Sequence, residues 1–248
     1  MRFLVAMAVL AMALANAGVA SAQNSFNGGY IGLTTGYGWG SSTQTGNIPA
    51  PAGPAFFDCF GTPVPSPDDC VGDAKLRTRG GLVGGALGWN AQYGAWIFGV
   101  EGDYSYAAVS GDSNACGNIP HSCGSRLESL GTVRGRAGTL FNDWLVYGTG
   151  GWAFGRVSGY DVAKLSGDAM YSGWTIGAGI EKRFAPQWSL KLEYLYTDLG
   201  GKDLFQASVP GYPEHVTYKL NSLRLGISYF FEPASSPRPI ITKGPSLK

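Results

Sequence analysis

The sequence predicts an all-β fold, an eight-stranded antiparallel up-and-down transmembrane β-barrel. Three observations favour it: a composition rich in glycine and aromatic residues, eight stretches of alternating residue types, and connections that alternate between long and short. The 248 residues include 39 glycines, 7 Trp, 13 Tyr and 12 Phe, and only 14% are charged. Because glycine disfavours helix interiors and aromatic residues suit pleated sheets, strands are expected rather than helices.

The two ends of the chain are expected to lie outside this barrel. Residues 1–22 read as a signal peptide, with Arg2 in a charged start, an apolar run from Phe3 to Ala15, and Ala20-Ser21-Ala22 as the cleavage site. Residues 232–248 contain four prolines and do not alternate, which predicts a tail on the periplasmic side. The barrel domain is therefore assigned to residues 23–231.

Eight stretches within that domain alternate apolar residues with small or polar ones, as half-buried strands do. In the clearest stretch, Leu190, Leu192 and Tyr194 share one face, whereas Lys191 and Glu193 share the other. The predicted strands lie near 28–39, 77–90, 96–107, 126–139, 145–157, 171–184, 189–199 and 216–231.

The connections between these strands alternate strictly in length. Long connections cover residues 40–76, 108–125, 158–170 and 200–215, and short ones cover 91–95, 140–144 and 185–188. Outer-membrane barrels have short periplasmic turns and longer outside loops, so this asymmetry favours them. It also places both chain ends on the side of the short turns.

Alternation alone does not tell whether the apolar face meets lipid or a soluble core. Aromatic residues favour lipid, because Trp and Tyr collect at membrane interfaces and several of them lie near strand ends on the apolar face. These are Trp39, Tyr104, Tyr106, Trp174, Tyr194 and Tyr196. A soluble lipocalin-like binder is the remaining alternative.

The opposite face carries acids and bases that would meet inside the barrel. Its acids are Glu101, Asp103, Glu128, Glu181 and Glu193, and its bases are Arg134, Arg136, Arg183, Lys191 and Arg224. One interpretation is a neutralising plug, because an eight-stranded barrel has room only for side chains and buried charges must be paired. The other is the selectivity lining of a small pore. We favour the plug.

Four cysteines fall in the first two long connections, Cys59 and Cys70 in one and Cys116 and Cys123 in the other. Three pairings are open, and pairing within each loop is preferred because it closes the shortest rings. In an oxidising compartment such disulfides would staple the loops. We therefore expect stapled loops on an exported protein.

No catalytic site, metal site or cofactor is expected. The only histidines, His121 and His215, fall in predicted loops, and no orienting acid is evident beside the His121-Ser122 pair. The spacing of Cys116, His121 and Cys123 is not a zinc pattern. A net charge of +1 with scattered bases gives no sign of a nucleic-acid partner.

Six segments together resemble a known family. They are YIGLTTGYGWG (30–40), WIFGVEGDYSY (96–106), GTVRGRAG (131–138), VYGTGGWAFG (146–155), GWTIGAGIE (173–181) and LKLEYLYTDLG (190–200). They resemble the small outer-membrane β-barrel proteins of alphaproteobacteria, a "porin family" that includes major surface antigens of brucellae and rhizobia. The resemblance implies a barrel surrounded by outer-membrane lipid and inserted by the barrel-assembly machinery. The tail after Tyr229-Phe230-Phe231 departs from that pattern.

The function expected from these features is that of a non-enzymatic outer-membrane surface protein. Its role would be envelope integrity and surface interactions through the exposed loops. Two alternatives stay open: a narrow porin for small ions or solutes, and a surface receptor for haem or a host component, which the resemblance allows for some relatives.

Overall fold

Eight long strands account for most of the residues that the computed structural model describes, namely 26–46, 56–57, 63–64, 74–113, 123–141, 143–160, 166–204 and 214–231. In chain order the strands are β1 (Gly28–Gly46), the two-residue β2 (Phe56–Phe57) and β3 (Pro63–Val64), β4 (Ala74–Tyr93), β5 (Trp96–Ser113), β6 (Cys123–Phe141), β7 (Trp144–Tyr160), β8 (Ser166–Ala185), β9 (Trp188–Leu204) and β10 (Glu214–Phe230). Within these ranges we find no helix with the length and apolarity to cross a bilayer.

The long strands form one closed antiparallel barrel in the order β1-β10-β9-β8-β7-β6-β5-β4. Consecutive long strands pair with each other, and β1 also pairs with β10, where Tyr30 lies opposite Phe230. Closure leaves no long strand with an unpaired edge, so no row of free backbone groups is exposed. The predicted eight-stranded up-and-down barrel is confirmed.

One end of the barrel carries the short turns and both described ends of the chain. The turns include Gly94-Ala95, Asp143 and Pro186-Gln187, which fall in the three predicted short connections. Gly94 and Asp143 have positive φ angles of 61° and 69°, which two-residue hairpin turns commonly require. At the same end, the amide of Phe231 donates to the carbonyl of Gly29 at 2.9 Å.

The strands are longer than the sequence predicted, and they extend toward the long connections. β1 continues to Gly46 instead of residue 39, β5 continues to Ser113 instead of 107, and β4 begins at Ala74 instead of 77. The small hairpin of β2 and β3 was not predicted. It falls inside the first predicted loop and pairs Phe56 with Val64.

The apolar face of the strands points outward. Leu192 and Tyr194 are 40% and 42% exposed, whereas Lys191 and Glu193, which alternate with them, are each 2% exposed. Leu33 is 70% exposed in the same way. A water-soluble barrel would expose its charged face instead. The orientation predicted for a membrane barrel is therefore the one observed.

The boundaries of the barrel domain remain a prediction. Described residues run from 26 to 231. The predicted signal peptide, residues 1–22, and the predicted tail, residues 232–248, lie outside the described residues.

Candidate functional site

Eight of the ten acids and bases predicted on the inner face lie close together inside the barrel. The two-residue period of each strand directs them inward, because side chains at i and i+2 share a face. None of the eight is more than 6% exposed. We call this set the charge layer: Glu101 and Asp103 on β5, Arg134 and Arg136 on β6, Glu181 on β8, Lys191 and Glu193 on β9, and Arg224 on β10.

Glu101 lies at the centre of the charge layer. The Lys191 ammonium donates to both of its carboxylate oxygens, at 2.7 and 2.6 Å. Arg134 Nη2 donates to Oε1 at 2.7 Å, and the Tyr30 hydroxyl donates to Oε2 at 2.6 Å. One carboxylate thereby connects side chains from four strands, β1, β5, β6 and β9.

Arg134 spans the lumen. Its Nη1 lies 3.0 Å from Glu193 Oε2, and its Nη2 lies 3.1 Å from Asp103 Oδ2. Asp103 also accepts hydrogen bonds from Arg224 Nη1 at 2.8 Å and from the Thr132 hydroxyl. Charge-assisted bonds of this kind are the strong ones, so β5, β6, β9 and β10 are held together through their inner faces.

Arg136 forms the second branch of the charge layer. Its Nη1 lies 3.1 Å from Glu181 Oε2, and its Nε donates to Asn90 Oδ1 at 2.9 Å. The guanidinium also lies 4.9 Å from the ring centre of Tyr30 and 5.1 Å from that of Tyr147. A desolvated cation is attracted to the face of an aromatic ring, so the two rings stabilise the Arg136 guanidinium in addition to Glu181.

The charge layer is balanced, with four acids and four bases. Leaving a buried charge without its partner costs several kcal/mol, whereas this set satisfies its charges internally. The arrangement therefore suits a packed core of ion pairs.

Two residues expected in this interior set behave differently. Arg183 is inside, but at the short-turn end, where its guanidinium lies 4.2 Å from the Phe230 ring centre and donates to the Pro186 carbonyl at 2.5 Å. The prediction for Glu128 was wrong. A β-bulge between Leu127 and Ser129 changes the alternation, and the Glu128 side chain is 41% exposed, 3.8 Å from Arg156.

Apolar residues fill the interior on both sides of the charge layer. Toward the short turns lies what we call the lower layer: Phe26, Tyr30, Ile97, Leu145, Tyr147 and Phe230. Toward the long connections lies the apolar layer: Leu82, Ala107, Val109, Leu127, Leu130, Ala153, Val157, Tyr171, Leu199, Val216, Tyr218 and Leu220. The charged set is thus enclosed between two apolar ones.

Sequence reasoning missed the apolar layer, although a signal for it was present. On β10 the inward positions that precede Arg224 by even steps are Ser222, Leu220, Tyr218 and Val216, all fully buried. Following every second residue of β10 from Arg224 toward its start would have shown that the inner face changes from charged to apolar.

The aromatic residues predicted at the membrane interface are on the outer face. Tyr104 and Tyr106 are each 57% exposed. Trp39 packs 6.3 Å from the ring of Tyr194, and Trp174 packs 5.5 Å from that of Tyr196. Trp39, Tyr106 and Trp174 lie on the half of their strands toward the long connections, whereas Tyr104, Tyr194 and Tyr196 lie near the middle of theirs.

The other residues considered for chemistry give no site among the described ranges. His215 Nδ1 lies 2.9 Å from Asp203 Oδ1, and both side chains are about half exposed. His121, Cys59, Cys70 and Cys116 lie outside the described residues, and of Cys123 only the backbone is described. Within those ranges no three His, Cys, Asp or Glu side chains come together to hold a metal ion.

Comparisons with known proteins give one family match and several relatives. The family model described as the outer membrane protein beta-barrel domain matches residues 5–231. The 31 kDa outer-membrane immunogenic protein of Brucella melitensis is 33% identical over 219 residues, 84% of each chain. The 22 kDa outer membrane protein of Rhizobium leguminosarum is 37% identical over 147 residues, 58% of this chain and 63% of that one.

A solved structure shows the same fold. The solid-state NMR structure of the outer membrane protein AlkL in DMPC bilayers matches with a TM-score of 0.51, over 89% of this chain and 99% of that one. The identity is 13%, so the likeness concerns the fold alone.

Proposed function

Since this chain belongs to the outer membrane protein β-barrel domain family, we propose that it is a closed, non-conducting surface barrel that supports envelope integrity and makes its contacts through its loops. The family and the outer-membrane location were both predicted from the sequence. The match over residues 5–231 and the relatives named outer-membrane proteins confirm them.

The observation that carries the proposal is the charge layer enclosed between two apolar layers. Lys191 lies 2.6 Å from Glu101, Arg224 lies 2.8 Å from Asp103, and these contacts cross the lumen. An eight-stranded barrel has an interior just wide enough for side chains. Side chains that fill this space and pair with each other favour a structural core over an ion path.

Planar-bilayer recording on the purified protein tests this proposal. We expect no stable current steps from the unmodified protein. A variant with Glu101, Arg134, Lys191 and Glu193 all changed to alanine removes two acids and two bases and should conduct, because it empties the lumen without changing its net charge. The matched control changes Arg156 and Asp168 to alanine. These two residues form a half-exposed ion pair, and the control variant should show no current steps.

The narrow porin is the second candidate, and one observation favours it. Among the described residues, Arg224 Nε and Nη2 and Arg136 Nη2 are buried without a hydrogen-bond partner. Buried donors of this kind are commonly satisfied by water, and a chain of such waters is what a narrow pore contains. Ohmic steps from the unmodified protein would establish this candidate and overturn the closed barrel.

Surface contact through the loops requires that the long connections face outward. The Brucella relatives are named immunogenic outer-membrane proteins, which supports exposure of this family to the outside. An epitope tag inserted in residues 51–55 should be detected on intact cells. The same tag between Gly94 and Ala95 should be detected only after the outer membrane is permeabilised. The reverse pattern would overturn the orientation.

The proposal is non-enzymatic. The one histidine among the described residues, His215, pairs with Asp203 at the exposed barrel rim, away from the charge layer. Insertion by the barrel-assembly machinery belongs to the same proposal and is supported by family membership. A receptor for haem or a host component is the alternative loop function, and most residues of the loops concerned lie outside the described residues.

A further inference from the structure

Charges on the outer face are unevenly distributed around the long-connection end of the barrel. On β7 to β10, two of the three exposed Lys and Arg side chains that the structure describes at this end lie against carboxylates. Arg156 is 2.7 Å from Asp168, and Lys219 is 3.5 Å from Asp198. These pairs largely neutralise each other and have little charge to offer a ligand.

On β4 and β6 the outward cations are different. Leu76 and Thr78 are buried, so Lys75, Arg77 and Arg79, which alternate with them, point outward and are exposed. Arg126 is exposed on β6 and donates to the Tyr106 hydroxyl at 3.1 Å. We call Lys75, Arg77, Arg79 and Arg126 the basic rim. None of the four forms an ion pair with any carboxylate of the described residues.

The strand register brings the basic rim together. Arg79 lies opposite Ser110 on β5, and Ser110 lies opposite Arg126 on β6, so the two arginines share a row. Two strand spacings separate them, about 10 Å. The outward carboxylate on this part of β5 is Asp112, which forms no ion pair with a cation of the described residues, so the rim keeps an excess of positive charge. Trp39 stands on the same row, opposite Arg79, which places the rim at the level of the interfacial aromatic residues.

Below the basic rim, the outer face has an apolar groove of about 600 Å³ that crosses β4, β5 and β6 and continues over β1 to β10 and β9. Its walls include Leu33, Leu87, Tyr104 and Val133, and its floor is formed by Gly85 and Gly102. The nearest atom to a Cβ placed on Gly102 would be a backbone oxygen at 3.9 Å, so the glycines leave open space where neighbouring positions carry large side chains. We call this the glycine groove.

The distance from rim to groove corresponds to a lipid. Arg79 and Gly85 are six residues apart on β4, which is about 20 Å of strand. The tilt of barrel strands reduces this to about 15 Å of depth. That is about the thickness of one hydrocarbon leaflet. A molecule with its anionic head at the rim would therefore reach the groove with an acyl chain.

We propose that the basic rim and the glycine groove together bind one phosphorylated, acylated lipid of the outer leaflet, with phosphate on the rim and an acyl chain in the groove. Guanidinium groups match phosphate oxygens in charge and geometry. The assignment to the outer leaflet rests on the orientation proposed above, with the long connections outside.

Native mass spectrometry of the detergent-solubilised protein with bis-phosphorylated lipid A tests the site. We expect one lipid bound per barrel. Changing Lys75, Arg77 and Arg79 to glutamine together should weaken binding about 100-fold, at roughly a few-fold for each cation near an anionic head group. Lys202→Gln is the matched control, an exposed cation on β9, and should bind as the unmodified protein does. An equal loss in the control, or no loss in the triple variant, would overturn the site.

The groove is tested separately. Gly102→Leu fills its floor and should weaken lipid A binding, whereas Gly135→Leu, at an outward glycine that does not line it, should not. If Gly102→Leu binds normally, or if inorganic phosphate displaces the lipid completely, the groove has no part in binding. Because solubilised protein binds lipid whichever way it faces in a membrane, a failure here leaves the tag and conductance experiments unaffected.

Discussion

Single side chains of the charge layer connect strands that are distant in sequence. Glu101 contacts Lys191, 90 residues later in the chain, and Asp103 contacts Arg224, 121 residues later. Each of these contacts exchanges the hydration of two charges for a paired geometry. The stability lost when one of these residues is removed therefore depends on the partners that are left unpaired.

We expect Glu101→Ala to destabilise the barrel by about 3–5 kcal/mol, because it leaves Lys191 and Arg134 without their shortest carboxylate contacts in a buried site. Urea-induced unfolding in lipid vesicles measures the change. Asp168→Ala, which breaks a half-exposed pair with Arg156, is the control and should cost less than about 1 kcal/mol. Equal losses in both variants would show that the interior pairing carries no special weight.

Glycines on the two faces of β4 should respond differently to a methyl group. A Cβ on the inward Gly84 would lie 2.2 Å from the Tyr104 carbonyl oxygen, whereas one on the outward Gly81 would meet nothing nearer than 4.0 Å. We expect Gly84→Ala to cost about 1–3 kcal/mol and Gly81→Ala to change stability by less than about 0.5 kcal/mol. The same unfolding assay compares them, and a larger loss for Gly81→Ala would contradict the assigned faces.

Individual strands change polarity along their length. Near the short turns, β4 points Val83, Leu87 and Trp89 outward, as a lipid-facing strand does, but near the long connections it points Lys75 and Arg77 outward and Leu76 inward. A strand of 20 residues is also about twice as long as a bilayer crossing requires. The far ends therefore follow the rules of a water-soluble barrel.

This change explains what the sequence could and could not predict. Alternation identifies which residues share a face, so it predicted ten inward acids and bases, among them the eight of the charge layer. The predicted strands were too short at their long-connection ends, because the outward residues there are polar and resemble a loop. Glu128 was assigned to the wrong side because a bulge shifts parity without a sequence marker. The partners of Glu101 could not be predicted. Alternation tells which residues point inward, but not which of them meet across the lumen.

The loop cysteines offer a prediction for the connecting segments. We expect Cys59 to pair with Cys70 and Cys116 with Cys123, because these pairings close the shortest rings. Peptide mapping of the non-reduced protein by mass spectrometry checks both. A peptide that links Cys59 or Cys70 to either of the other two cysteines would show instead that the two loops touch.

The molecule as a whole is a ring whose two chain ends meet. β1 and β10 pair from Tyr30 with Phe230 to Gly46 with Glu214, and Phe26 and Phe230 pack edge to face at 5.8 Å in the lower layer. The contacts that close the ring are complete at Phe231, whose amide bonds to Gly29.

We expect a chain that ends after Phe231 to fold to the same barrel, because no described contact of the closed ring needs residues 232–248. The fraction of refolded protein that migrates as the compact form on an unheated gel measures this. A chain ending after Ser228 is the matched comparison. It loses Phe230 from the lower layer and should refold much less. Equal refolding of the two would contradict this account of closure.

The long-range pairing of the charge layer also limits the order of assembly. Until the last strand meets the first, Glu101, Asp103 and their cationic partners have no complete counterion shell, and hydrocarbon would not tolerate them. An inserting intermediate must therefore keep a hydrated seam along its inner wall, and that water leaves only when the cylinder shuts.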